Sequence, residues 1–209
     1  MTIDDFVTML ANTAVPPHTF NQYAIDRPEN AARRHNLSQY LRQMQPRQPT
    51  ILLVGEAPGY RGCRLTGIPF VSPVILQTGT VSGLFGVANG WQAINEWPEI
   101  QREASATIVW ETLDGLDPLP LLWNAFPFHP YRPDQPQSNR TPKKSELMMG
   151  RPFLDQLLQI FPIQTIVAVG NKAAQALTSW GIAHDKVRHP SHGGRLVFRH
   201  GIRQIMGMN

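Results

Sequence analysis

Hydrophobic residues gather in four short runs, and each run stops at a polar or small residue. Ile51-Leu52-Leu53-Val54 gives way to Gly55-Glu56-Ala57-Pro58-Gly59, and Leu121-Leu122-Trp123 gives way to the amide of Asn124 before Ala125-Phe126. Thr165-Ile166-Val167-Ala168-Val169 ends at Gly170, and the short Lys186-Val187-Arg188 meets His189-Pro190-Ser191. Apolar runs of this length, bounded by turn residues, predict buried strands. The stretches between them are long enough for crossover connections, so the expected fold class is α/β with a four-stranded, mainly parallel sheet. All four runs then bring their polar residue to the C-terminal edge of the sheet, where open α/β folds bind ligands.

A helical pattern fills the gaps. Residues 3 to 13 predict a first helix, and Pro28 to Gln45 a second, with Asp26 and Glu29 around Pro28 as at a helix start and Leu37, Tyr40, Leu41 and Met44 on one face. Glu103 to Leu113 is the expected crossover to the second strand. Thr141-Pro142 opens a helix that reaches about Phe161, and Asn171 to Trp180 follows the third strand. Prolines at 127, 130, 133 and 136 predict a loop from Pro127 to Thr141. The tail from Gly194, basic with interleaved apolar residues, is expected to add a last strand.

Composition narrows the class. The 209 residues, 42% of them apolar, are expected to form one domain, residues 1 to 209, with a substantial core. A net charge of +4 and a pI near 9.6 favour a polyanionic partner. Cys63 is the only cysteine, which excludes an internal disulfide and any cluster or finger built on several thiolates, so no metal is expected. Asp4 and Asp5 stand where a leader would be basic and apolar, and no apolar run approaches the roughly 20 residues of a membrane span. A cytoplasmic protein that avoids membranes is expected, and a monomer.

The loop after the first strand is the foremost candidate site. Gly55 and Gly59 let backbone amides approach a ligand, Pro58 fixes a dihedral between them, and Phe70, closing Gly67-Ile68-Pro69-Phe70, offers an aromatic face. A flat, polar ligand suits such a pocket. Asn124 carries both a donor and an acceptor, and His189 a ring donor. Taken singly, each has a plainer reading: the glycine loop as a generic phosphate cradle, Asn124 as a turn residue, His189 as a satisfied loop histidine, Phe70 as a core aromatic. Cys63 and His129 are read as structural or incidental, and Trp91, Trp97 and Trp110 as packing.

Taken together and in order, Gly55-Glu56-Ala57-Pro58-Gly59, Pro69-Phe70, Asn124 and His189-Pro190-Ser191 resemble the motifs of the uracil-DNA glycosylase superfamily over roughly residues 51 to 194. The resemblance implies a three-layer α/β/α sandwich, uracil-containing DNA as partner, no cofactor, and a DNA repair reaction that flips uracil out and hydrolyses its N-glycosidic bond. It implies that Phe70 stacks on the base, that Asn124 pairs with its edge, that Gly55, Ala57, Pro58 and Gly59 bind the substrate, and that His189 supports the developing anion, assisted by backbone N–H groups of that loop. Glu56 either orients the attacking water or holds the loop. Ser191, His192, Gly193 and Arg195 fall where relatives carry the loop that enters the duplex, with Arg195 or Leu196 to fill the vacated stack. Arg64 and Arg140 are candidates for phosphate contact.

Departures from the pattern bear on the branch. In the most uracil-specific branch an aspartate stands at Ala57 and a tyrosine at Gly59. Glu56 with the Gly-x-x-Pro-Gly frame, and Ser138 to Pro142, resemble family four, which binds an iron–sulfur cluster through four cysteines that this chain lacks. Gly62 to Phe70 is closer to family five. A glycosylase for another deaminated or mismatched base, or a non-catalytic nucleotide- or nucleic-acid-binding domain, are the alternative readings.

Overall fold

Buried parallel strands need cover on both faces, and the computed structural model, which describes residues 1–79, 83–92, 94 and 96–208, supplies it with helices. In chain order the elements are α1 (Ile3–Ala11), β1 (Thr19–Phe20), α2 (Ala31–Met44), β2 (Ile51–Gly55), α3 (Cys63–Thr66), α4 (Pro73–Thr78) and α5 (Ala104–Leu113), then β3 (Leu121–Asn124), β4 (His129–Pro130), α6 (Lys144–Ile160), β5 (Thr165–Val169), α7 (Asn171–Ser179), β6 (Asp185–Val187) and α8 (Arg195–Ile205). The main sheet has the order β3-β2-β5-β6, and every neighbouring pair in it is parallel. The chain leaves β2 to one side for β3 and returns to its other side for β5, so the strand order switches at β2. The crevice of such a sheet opens at that switch, beyond the strands' carboxyl ends.

Register decides what meets there. Gly55 pairs with Asn124 across β2 and β3, which brings the end of the first apolar run level with the amide that ends the second. Leu52, Leu53 and Val54 are buried, as are Leu121, Leu122 and Trp123. On one face Phe6 of α1 packs on Trp123 and on Phe153 of α6, with ring centroids 5.3 and 6.3 Å away. At the edge, the Leu122 N–H donates to the hydroxyl of Tyr40 at 2.9 Å, so α2 satisfies a group that an open strand would leave unpaired. No helix among the described residues is long and apolar enough to cross a membrane.

Three expectations are corrected. The tail is helix α8 and not a strand: Phe198 and Ile202, four residues apart, make one buried stripe, while Leu196 and Val197 point to solvent and produce the appearance of alternation. Burying those two stripe residues contributes about 1.5–3 kcal/mol each. The loop from Pro127 to Thr141 holds a short strand, β4, paired antiparallel with β1. Helix α6 begins at Lys144 and not at Thr141-Pro142, because the Glu146 carboxylate turns back to accept from the Lys143 N–H at 2.6 Å and marks the start there.

Candidate active site

Strand β2 delivers the glycine loop, and the ladder continues past its end. The Ala125 N–H donates to the Gly55 carbonyl at 2.8 Å and the Phe126 N–H to the Glu56 carbonyl at 3.0 Å, so the first loop residues are pinned to β3's extension. A methyl group on residue 55 would lie 2.5 Å from Phe70 Cζ and 2.7 Å from Asn124 Oδ1. Only hydrogen fits. Glycine at 55 is therefore what lets the Phe70 ring and the Asn124 amide converge.

Phe70 sits in the left-handed region, φ 57°, which is costly for a bulky side chain. Its carbonyl accepts from the Trp110 indole N–H at 2.9 Å, which ties the strained residue to α5. The ring is nonetheless turned toward the cavity, unlike a core aromatic. Asn124 is only 4% exposed, yet its side-chain amide makes no hydrogen bond within the chain among the described residues. Its polar atoms are open to the cavity, which leaves both donor and acceptor free for a ligand.

Behind the loop, His129 is fully buried and its Nδ1–H donates to the Pro58 carbonyl at 2.8 Å, with Tyr131 stacked alongside. It is thus structural, as its reading from sequence had it. Nε2 has no partner among the described residues, and burial, with Arg64 and Arg140 nearby, pushes the imidazole down to about 4 from 6.5. The unfolded chain binds the proton first, so the stabilisation is complete above pH 6.5 and is lost as pH falls toward 4. Its size is about 3 kcal/mol. Urea unfolding of the wild type and of His129→Asn across that interval is expected to show a weaker pH dependence in the variant.

His189 follows β6 and packs against Gly170, where φ is +88° and an added methyl group would lie 2.9 Å from His189 Cβ. Its Nδ1 accepts from the Ser191 N–H at 3.2 Å and faces the Ser191 hydroxyl at 2.7 Å. A backbone N–H can only donate, so Nδ1 is the bare nitrogen and Nε2 carries the hydrogen. Burial, then the charges of Arg188 and His192, lowers the imidazole pKa. The ring is held neutral, with one N–H to offer.

These groups share a cavity of about 180 Å³, below the roughly 300–1,000 Å³ of pockets for drug-sized ligands and suited to a single heteroaromatic ring. Gly55, Glu56, Ala57, Pro58, Gly59, Phe70, Asn124 and His189 all line it, so the sequence-predicted pocket assembles from four separate segments. Glu56 is half-buried; Oε1 has no partner, and burial raises its carboxyl pKa, opposed by Thr141 and Lys172. The cavity also holds Cys63, Glu103, Ser105 and Asn139. Asn139 accepts from the Tyr60 N–H at 3.0 Å, which leaves its NH₂ available. Glu103 reads only as a helix start in the sequence, and Asn139 only as part of the Ser138 to Pro142 stretch resembling family four; what brings both to the pocket is tertiary. Cys63 is buried at 3.9 Å from the Tyr23 hydroxyl, and burial pushes its thiol well up, so it is no nucleophile. A four-cysteine cluster has no ligand set in this chain.

The expected DNA contacts divide. Ser191, His192 and Gly193 form a turn beside His189, with His192 and Gly193 exposed, and Arg195 opens α8 with its guanidinium 2.8 Å from Glu111, both about half exposed. Leu196 next to it is 76% exposed. Arg140 lines the cavity, but its guanidinium is spent on the Glu146 carboxylate at 2.6 and 2.7 Å and on the carbonyls of Tyr131 and His18. Arg64 pairs with Glu96 at 2.6 Å and lies over the Phe20 ring. Both arginines are engaged by intramolecular partners. Trp91 and Trp110 are core; Trp97 is half-buried against Tyr60.

Fold and cavity together define an α/β protein with a small polar cleft at the carboxyl edge of a parallel sheet. The family model described as the Uracil DNA glycosylase superfamily matches residues 41–201, and the chain belongs to that superfamily. The crystal structure of wild-type Pedobacter heparinus SMUG2 is similar in fold, with a TM-score of 0.68 at 16% sequence identity, over 99% of this chain and 96% of that one. No curated protein matches the sequence.

Proposed function

We propose that this protein is a monofunctional DNA glycosylase that removes uracil and leaves an abasic site. The observation that carries the proposal is the Asn124 amide, open to one small cavity with the Phe70 ring and the Nε2–H of a neutral His189. Uracil presents an exocyclic oxygen beside a ring N–H, which match the amide's donor and acceptor; cytosine presents a donor beside a bare nitrogen and mismatches both. Phe70 stacks on the extruded base.

Cleavage breaks the C1′–N1 bond, and the electron pair leaves with the base. His189 Nε2–H donates to the base oxygen on which that charge collects, with loop amides from Gly55 to Gly59 in support. Water attacks the electron-poor C1′ and loses a proton. Glu56 is the loop's carboxylate and, at its raised pKa, can position that water and take the proton. The whole chain acts as one domain, and the exposed turn from Ser191 to Arg195, with Leu196, enters the space the base vacates.

The test is incubation with single-stranded and duplex oligonucleotides carrying one uracil, then alkaline cleavage of abasic sites. A shortened strand is expected from both. Binding without strand shortening would move the assignment to another base or to a binding-only domain.

A further inference from the structure

Glu103 is an ionisable cavity residue that the mechanism above leaves unused. It stands immediately before α5, and its carboxyl reaches across to the glycine loop, where both oxygens lie over Gly59 and Gly62. A side chain at either glycine would overlap that carboxyl. The carboxyl makes no hydrogen bond or ion pair among the described residues. Burial pushes it up to about 7, so at neutral pH it is partly the uncharged acid, which lowers the cost of having no partner. A carboxyl that stands over two glycines in the cavity wall sets how much room the loop leaves there.

The cavity's other walls fix what it does. If Asn124 takes the base's ring N–H and adjacent oxygen, and His189 the remaining oxygen, the base edge left over is C5–C6. The lining not yet used includes Gly59, Cys63, Glu103 and Ser105, with Asn139 and Arg140 on the loop before α6; of these, the Glu103 carboxyl stands over Gly59. We infer that Glu103 is a specificity-determining residue: its carboxyl occupies the space that residue 59 leaves empty and closes the pocket against pyrimidines with a substituent at C5, thymine above all. This rests on the uracil reading of the same site. A methyl group pressed on a carboxyl both collides with it and strips its remaining hydration. Gly59 alone would suggest a wide pocket; Gly59 with Glu103 makes a narrow one.

The experiment measures single-turnover release of uracil and of thymine from otherwise identical single-stranded oligonucleotides, and reads the thymine-to-uracil ratio, in which a loss common to both bases cancels. Glu103→Ala is expected to raise the ratio by roughly 10- to 100-fold, the worth of about one methyl group in a fitted pocket. Glu103→Gln, which keeps the volume, is expected to hold it near the wild-type value. Adding Gly59→Ala to Glu103→Ala should push the ratio back down, since the new methyl refills the same space. A ratio unchanged in Glu103→Ala overturns the inference. So does loss of both bases in Glu103→Ala and Glu103→Gln alike with thermal melting intact, which would make the carboxyl part of the chemistry. Absence of uracil release by the wild type would instead sink the glycosylase reading, and it is scored on the wild type alone.

Discussion

Replacing His189 with alanine is expected to slow single-turnover uracil release by about 10²- to 10³-fold, the usual cost of losing one donor to a developing oxyanion. DNA affinity should change little, because the donor matters most when charge has moved onto the base, after binding. The pH profile carries the sharper signature. The Ser191 N–H points at Nδ1, so a proton there would set two donors against each other, and Arg188 and His192 add their repulsion. The neutral ring is therefore the working form. With its pKa lowered from 6.5, the release rate should stay level down to 6.5 and fall only at more acid pH. In His189→Ala that acid limb should shrink to what protonation of Glu56, the proposed base, contributes. A variant as fast as the wild type, or a wild-type rate that rises on acidification, would remove His189 from its role.

Legibility of the chain followed the range of the forces involved. Strands β2, β3 and β5 were readable because buried parallel strands must be continuously apolar, and their ends were readable because Gly55, Asn124 and Gly170 interrupt that run. Helix α8 was misread since two of its apolar residues, Leu196 and Val197, are exposed and blur the helical period that Phe198 and Ile202 keep. That exposure is what the proposed insertion of Leu196 into the duplex requires. Of the motif residues, Gly55 to Gly59, Phe70, Asn124 and His189 line one cavity. Glu103 is illegible in sequence because its place depends on α5 being folded against the glycine loop, and Asn139, though within a stretch resembling family four, reaches the cavity only through the tertiary fold. Arg140 and Arg64 illustrate the converse: a loop arginine looks available in sequence, but a carboxylate 2.6–2.7 Å away in the fold claims it.

Asn124→Ala is expected to reduce uracil release by about 10²- to 10³-fold, and for a different reason from His189. Its amide contributes both bonds that tell uracil from cytosine, and without them the base is held by stacking on Phe70 alone, which every base can share. Folding should not suffer. The amide forms no hydrogen bond within the chain among the described residues, so its removal breaks none, and the melting temperature is expected to hold. Lower activity at equal stability is the combination that separates a ligand-reading residue from a turn residue, whose loss would lower both. Gly55 supplies the counterpart: since its missing methyl is what lets Asn124 and Phe70 meet, any side chain there would displace the amide and should depress activity along with stability. An Asn124→Ala protein that melts several degrees lower and excises uracil at the wild-type rate would return Asn124 to the turn.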